Sequence, residues 1–242
     1  MSDPLGDMKA NTGAPLALLE AARRWAPHAH VIFASTRQVY GKAGELPVNE
    51  SRAVSPVDVN GVHKFAAETH HKLYWEHHGV RTNVLRLTNT YGPGMRLRGE
   101  GRMFLGEWFR RLLRAEPIAL YGCGTQLRDL NHVDDVVAAF LLAAMQGASF
   151  PGEVFNLGAP EALSLKHLAD LLARVAGTDL PARHQPFPDD LAKIEIGSYR
   201  GDFTKIKTAF GWEPRIELED GLRQTFEELR ENGDTSAGGL RQ

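Results

Sequence analysis

Hydroxyls, carboxylates and imidazoles occur in this chain at spacings that invite several chemistries. A short apolar, β-branched run at 30–34 breaks into Ser35-Thr36-Arg37-Gln38, so two hydroxyls are expected at the carboxyl end of a buried strand. Asp134 and Asp135 form an acid pair of the kind that cleaves glycosides, but a helical pattern begins there, and acids in a first turn suit the helix dipole. The ten histidines include His70-His71 and His77-His78 on one helical segment. Metal ligation from a helix wants partners at i and i+4, whereas these pairs recur at i+7 and read as a polar or interface stripe. Gly122-Cys123-Gly124 and Gly92-Pro93-Gly94 start like dinucleotide loops, but neither has the third glycine or follows the first strand of a βαβ unit. No G-x-S-x-G, H-E-x-x-H or P-loop is present, so a triad hydrolase, a zincin and an NTPase have no anchor, and no metal site is expected.

The elements that position these groups belong to an ordinary globular chain. Its 242 residues are 43% hydrophobic and 24% charged, enough to bury a full core. No run of 18 apolar residues occurs, and the first eleven residues are polar, so neither a membrane span nor a secretory signal is expected and the location reads as cytoplasmic. Twenty-eight basic against 30 acidic side chains argue against nucleic acid as a partner. The single cysteine, Cys123, has no internal disulfide partner.

Helical spacing covers 14–25, 60–78, 104–113, 133–145, 164–175 and 218–230, with Gly79 past the end of the second and Ser164 capping the fifth. Strands are expected at 30–34, 80–87, 118–121 and 154–157. Alternating strands and helices imply an α/β class with parallel pairing. The stretches 94–121 and 160–212 are irregular enough to form a second lobe, and the residues from 233 onward read as a tail.

Five motifs stand in order along the chain. They are Ser35-Thr36-Arg37-Gln38-Val39-Tyr40-Gly41, Asn60-x-x-x-Lys64, Arg86-Leu87-Thr88-Asn89-Thr90-Tyr91-Gly92-Pro93, Gly122-Cys123-Gly124-Thr125-Gln126-Leu127-Arg128-Asp129 running into His132-Val133-Asp134-Asp135, and Val154-Phe155-Asn156-Leu157-Gly158 with the late Phe210-Gly211-Trp212-Glu213-Pro214. Together they resemble the NAD-dependent epimerase/dehydratase family, the extended short-chain dehydrogenases that act on nucleotide sugars. The likeness runs over about residues 11–230.

That resemblance implies a partial Rossmann-like parallel sheet, the rear half of a cofactor domain at about 11–93 and 129–158, with a smaller substrate lobe at about 94–128 and 159–231 and a tail at 232–242. It implies NAD as cofactor and a nucleotide-diphosphate sugar as ligand. In the family a tyrosine takes a proton from a sugar hydroxyl while hydride moves to the nicotinamide, and a lysine one turn on lowers the phenol's pKa and binds the nicotinamide ribose. Lys64 matches that lysine, and Thr36 matches the residue that bonds the sugar hydroxyl. Asn60 stands at the tyrosine position, and a carboxamide cannot take up a proton near neutral pH. Tyr40, His63 and Tyr91 remain as candidate substitutes. Asn89 matches a phosphate contact and Arg128 a diphosphate partner. The resemblance also implies a homodimer through helices 14–25 and 60–78, with Leu16, Leu19, Phe65 and Leu73 as the apolar stripe.

Family members place a strand and a G-x-x-G-x-x-G turn before the part that matches here, about ninety residues by analogy with a Rossmann first half. Backbone amides at that turn hold the pyrophosphate. This stretch by itself is therefore expected to bind NAD weakly or not at all, and to leave Val31, Ile32 and Phe33 on an open sheet edge that suits a partner chain supplying the other half. The expected function is that of an epimerase/dehydratase impaired as an autonomous catalyst. The alternatives are a nucleotide-sugar-binding or partner-dependent subunit and a gene remnant.

Overall fold

Asp3 opens the first helix by accepting a hydrogen bond from the Gly6 N–H at 2.8 Å, and Pro4 fills the first helical position, where no backbone donor is needed. The helix α1 (Pro4–Met8) runs through one π-helical turn at Lys9–Gly13 into α2 (Ala14–Trp25), with right-handed helical dihedrals at each junction. The helical rod thus begins ten residues before the start expected from apolar spacing, because its first turns are set by a cap and a proline rather than by a buried face. A computed structural model describes residues 3–97 and 103–233, so the tail expected at 232–242 lies almost wholly outside the described residues.

The central sheet joins β1 (His30–Thr36), β2 (Arg81–Leu87) and β7 (Val154–Asn156), all parallel, in the order β1-β2-β7. Strand β1 runs two residues past the expected break, since its pairing with β2 continues in register to Thr36 opposite Leu87. Between them lies α3 (Val59–His78), capped by the Asp58 carboxylate on the Gly61 N–H at 2.6 Å and closed by Gly79 in the left-handed region, φ 68°. Helices α2 and α3 cover one face: Leu19, Ala22 and Val80 form one cluster with Val31, and Phe33, Ala67 and Val84 form another. His71 stacks on Phe33 at 4.7 Å and donates to the Ala67 carbonyl, so it belongs to this core rather than to an outer histidine stripe. Among the described residues β1 has β2 as its one strand neighbour. Its open edge is a backbone edge, because Val31 and Phe33 are covered by the helices.

The pair β3 (Asn89–Tyr91) and β6 (Leu130–His132), also parallel, carries the chain beyond the sheet. After α4 (Phe104–Leu113), the strands β4 (Ala119–Tyr121) and β5 (Leu127–Arg128) pair with the later β9 (Arg183–Gln185) and β8 (Leu163–Ser164). The second face of the central sheet is covered by α5 (Val133–Gln146) and α8 (Thr204–Phe210), where Val136, Ala139, Ala143, Ile206, Phe210 and Trp212 pack on Leu85 and Phe155. Asp135 does more than start α5: its carboxylate accepts the N–H groups of Arg215 and Ile216 at 3.0 and 3.1 Å. A separate core forms where α4, α6 (Leu165–Val175) and α9 (Leu218–Gly233) meet, around Trp108, Phe109, Leu168, Leu172, Leu222 and Phe226. The short α7 (Asp189–Ile194) precedes Glu195.

Candidate functional site

Parallel strands leave their carboxyl ends open to ligands, and here β1 and β2 end side by side at Thr36 and Leu87. The two hydroxyls of β1 part company because successive strand residues face opposite ways. Ser35 is buried and donates to the Glu68 carboxylate, whereas Thr36 Oγ1 is half-buried and accepts from the Gln38 N–H at 3.3 Å. Lys64 Nζ donates to the Ala34 carbonyl at 2.7 Å and lies 4.7 Å from the Phe33 ring centre. Burial pushes this ammonium below the ordinary lysine range, against the opposing charges of Asp7 and Glu68. Lys64 is thus tied to Ala34, two residues before Thr36 on the same strand.

Asn60 is brought to an acid that the sequence reading missed. Its Nδ2 donates to Asp7 Oδ2 at 3.0 Å, and His63 Nδ1 donates to Asp7 Oδ1 at 2.7 Å. Burial pushes the Asp7 carboxyl up, yet hydrogen bonds from His63, Asn60 and Asn11 outweigh it and hold the group below the usual aspartate value. The signal that could have found this contact was Asp3-Pro4, a helix start that carries Asp7 onto α3.

The other two candidate bases are committed elsewhere. Tyr40 donates to Asn156 Oδ1 and accepts from Arg86 Nη1, both at 2.7 Å, inside the core. Tyr91 is buried too, and burial followed by the charges of Asp135 and Asp220 pushes its phenol well above the ordinary tyrosine value. His63 is bonded to Asp7 through Nδ1, which leaves Nε2 as the ring nitrogen outside that contact.

A cleft of about 430 Å³ opens between Arg37 and Gln38, just past β1, and residues of α4, β4, β5 and α7, within the size range of small-ligand sites. Trp108, Tyr121, Phe187 and Ile196 supply apolar walls, Arg37, Arg111 and Arg128 supply cations, and Glu107 and Glu195 supply acids. Arg128 Nη2 bonds Glu195 Oε1 at 2.5 Å, while Nη1 donates to the carbonyls of Leu127 and Gly197. Asn89 Nδ2 donates to the Asp129 carbonyl at 3.1 Å, and its Oδ1 accepts from Arg37 Nη2 at 3.2 Å. Neither Glu195 nor Arg37 was singled out from sequence, since neither lies in a spacing that announces its partner.

Parallel strands with helices on both faces and a cleft at their carboxyl ends define a Rossmann-like architecture. The chain belongs to the NAD dependent epimerase/dehydratase family, whose sequence model matches residues 1–158. It is 29% identical over 231 residues to the UDP-glucose 4-epimerase of Mycolicibacterium smegmatis, covering 95% of this chain and 71% of that protein. It is 30% identical over 232 residues to the UDP-glucuronic acid decarboxylase 1 of Danio rerio, covering 94% of this chain but about half, 53%, of that one. Among solved structures, the UDP-glucose 4-epimerase of Thermotoga maritima with UDP-glucose superposes with a TM-score of 0.87 at 32% identity, over 95% of this chain and 72% of that chain.

Proposed function

We propose that this chain binds nucleotide-diphosphate sugars in its cleft and serves the redox-assisted epimerisation or dehydration of the sugar. The observation that carries this reading is the end of β1, where Lys64 is tied to Ala34 and Thr36 leads directly into Arg37 and Gln38 of a cleft also lined by Arg128. Thr36 bonds the sugar hydroxyl, Arg128 pairs with the diphosphate, and Asn89 supports the phosphate end. His63, oriented by Asp7 through Nδ1, takes the hydroxyl proton at Nε2 in place of the tyrosine that Asn60 replaces. The residues present fit the nicotinamide ribose, which Lys64 would hold at the carboxyl end of a parallel strand. When bound, NAD supplies hydride transfer to and from the sugar. No G-x-x-G-x-x-G turn lies among the described residues, so calorimetric titration of this chain with NAD is expected to give weak binding or none.

The test of the sugar-nucleotide reading is a thermal midpoint measured with uridine, thymidine, guanosine and cytidine diphosphate sugars. A ligand of the folded state must raise it by mass action, and Arg128→Ala should remove the rise. No rise with any of them would sink the reading.

A second reading, a nucleotide-sugar binder without turnover, is favoured by the Asn60 amide, which has no acid–base role in its bond to Asp7. Binding by the same panel without turnover when NAD and an intact amino-terminal half of a family member are added would select it.

Assembly follows the exposed apolar side chains of α2 and α3. Leu19 is fully buried against Val80 and Leu16 is half-buried, so of the expected stripe Phe65 and Leu73 are exposed, with Leu18, Trp25, Val59 and Val62 as the other exposed apolar side chains of these two helices. We assign this face to a second copy of the chain, and the free edge of β1 to a further strand from a partner chain.

A further inference from the structure

We infer that Arg37 receives a second negative charge carried by the sugar itself, so that the cleft prefers nucleoside diphosphate hexuronic acids to neutral nucleoside diphosphate hexoses. The inference rests on the nucleotide-sugar reading above and narrows it to a substrate class.

The unusual feature is an enclosed guanidinium with no carboxylate bonded to it among the described residues. Arg37 follows Thr36 directly, at the first position of the 3-10 turn Arg37–Tyr40, so its side chain starts where the sugar hydroxyl is held. The guanidinium lies 5.3 Å from the Tyr199 ring centre. Nη2 has a neutral acceptor, Asn89 Oδ1, and Nη1 is buried with no acceptor at all. Two carboxylates are near, but both are spoken for. Asp129 accepts from the Thr88 hydroxyl and from the Gly201 N–H, and Glu195 accepts from Arg128 and the Gly197 N–H.

Burial and then the like charge of Arg128 pull Arg37 down to about 10, against Asp129, Tyr199 and Glu195, so it is still a cation at neutral pH. A buried cationic donor without an acceptor is costly, and a ligand oxygen in the cleft removes that cost. The planar fork of arginine matches a carboxylate in two parallel hydrogen bonds. Arg111, the third cation of the lining, is paired with Glu107 at 3.1 Å, and Arg128 on β5 is the cation placed for the diphosphate, which leaves Arg37, adjoining Thr36, for a group on the sugar.

Calorimetry with UDP-glucuronic acid, UDP-glucose and UDP separates the possibilities on the native chain, Arg37→Met and Arg37→Lys. The native chain should bind UDP-glucuronic acid roughly tenfold to a hundredfold more tightly than UDP-glucose, the range expected for a hydrogen bond to a charged group. Arg37→Met should erase that preference while weakening UDP-glucose and UDP far less. Arg37→Lys, which keeps the charge and guards against misfolding, should retain part of it. Equal binding of the two sugars by the native chain would overturn the inference. So would an Arg37→Met variant that loses UDP and UDP-glucuronic acid affinity by the same factor, since Arg37 would then be a diphosphate ligand. If none of the three binds, the nucleotide-sugar reading itself fails and this inference with it.

Discussion

Arg128 Nη2 stands 2.5 Å from the Glu195 carboxylate, so the cation assigned to a ligand's diphosphate is bonded to an anion of the chain itself. Glu195 follows the short α7 and comes from 67 residues away. A diphosphate entering the cleft must displace or share this contact, and the carboxylate repels it. Glu195→Gln should therefore tighten UDP binding several-fold, with a steeper loss of affinity as salt is raised, because a partly screened charge pair is worth about 1 kcal/mol. Titration at two ionic strengths checks it. Weaker binding by the variant would mean that Glu195 chiefly orients Arg128.

The Asp7 carboxylate holds both Asn60 and His63, and that pair of contacts makes the proposed base testable. Turnover of a nucleotide sugar, measured with NAD and an intact amino-terminal half of a family member supplied, should fall roughly a hundredfold or more in His63→Gln, the usual worth of general-base catalysis. Asn60→Tyr should raise turnover and should rescue His63→Gln, because the new phenol sits one turn before Lys64, whose charge lowers its pKa. Asn60→Tyr that abolishes turnover would show that the amide has a positive role.

Glu68 and Arg86 form a buried ion pair at 2.6 Å, with Ser35 and Tyr40 completing its hydrogen bonds. Burial lowers the Arg86 pKa, but Glu68 and Tyr40 outweigh it and hold the guanidinium above its ordinary value. Glu68→Gln leaves that cation without its counter-charge and should cost about 3–5 kcal/mol of folding stability. Urea unfolding reads this as a lower midpoint at unchanged slope.

The stripe on α2 and α3 predicts a dimer at micromolar concentration. Val62 is 50% exposed, Phe65 39% and Leu73 41%, all on one helix. Light scattering should give twice the monomer mass for the native chain and the monomer mass for a Phe65→Glu, Leu73→Glu variant, whose new charges would be buried unpaired in the contact. A native chain that scatters as a monomer would remove the dimer.

The α/β class and the parallel strands were legible in the amino-acid order, because apolar period and caps act over a few residues. Gly79 past α3 and Ser164 before α6 marked helix ends for the same local reason. Other features depend on how distant elements pack. Asp7 meets Asn60 across 53 residues, Glu195 meets Arg128 across 67, Leu19 is turned inward against Val80, and Arg37 is enclosed beside Tyr199 without a carboxylate of its own. A charged side chain's partner, burial and pKa are set by whatever the fold places within a few ångströms, and only the tertiary structure decides that neighbourhood.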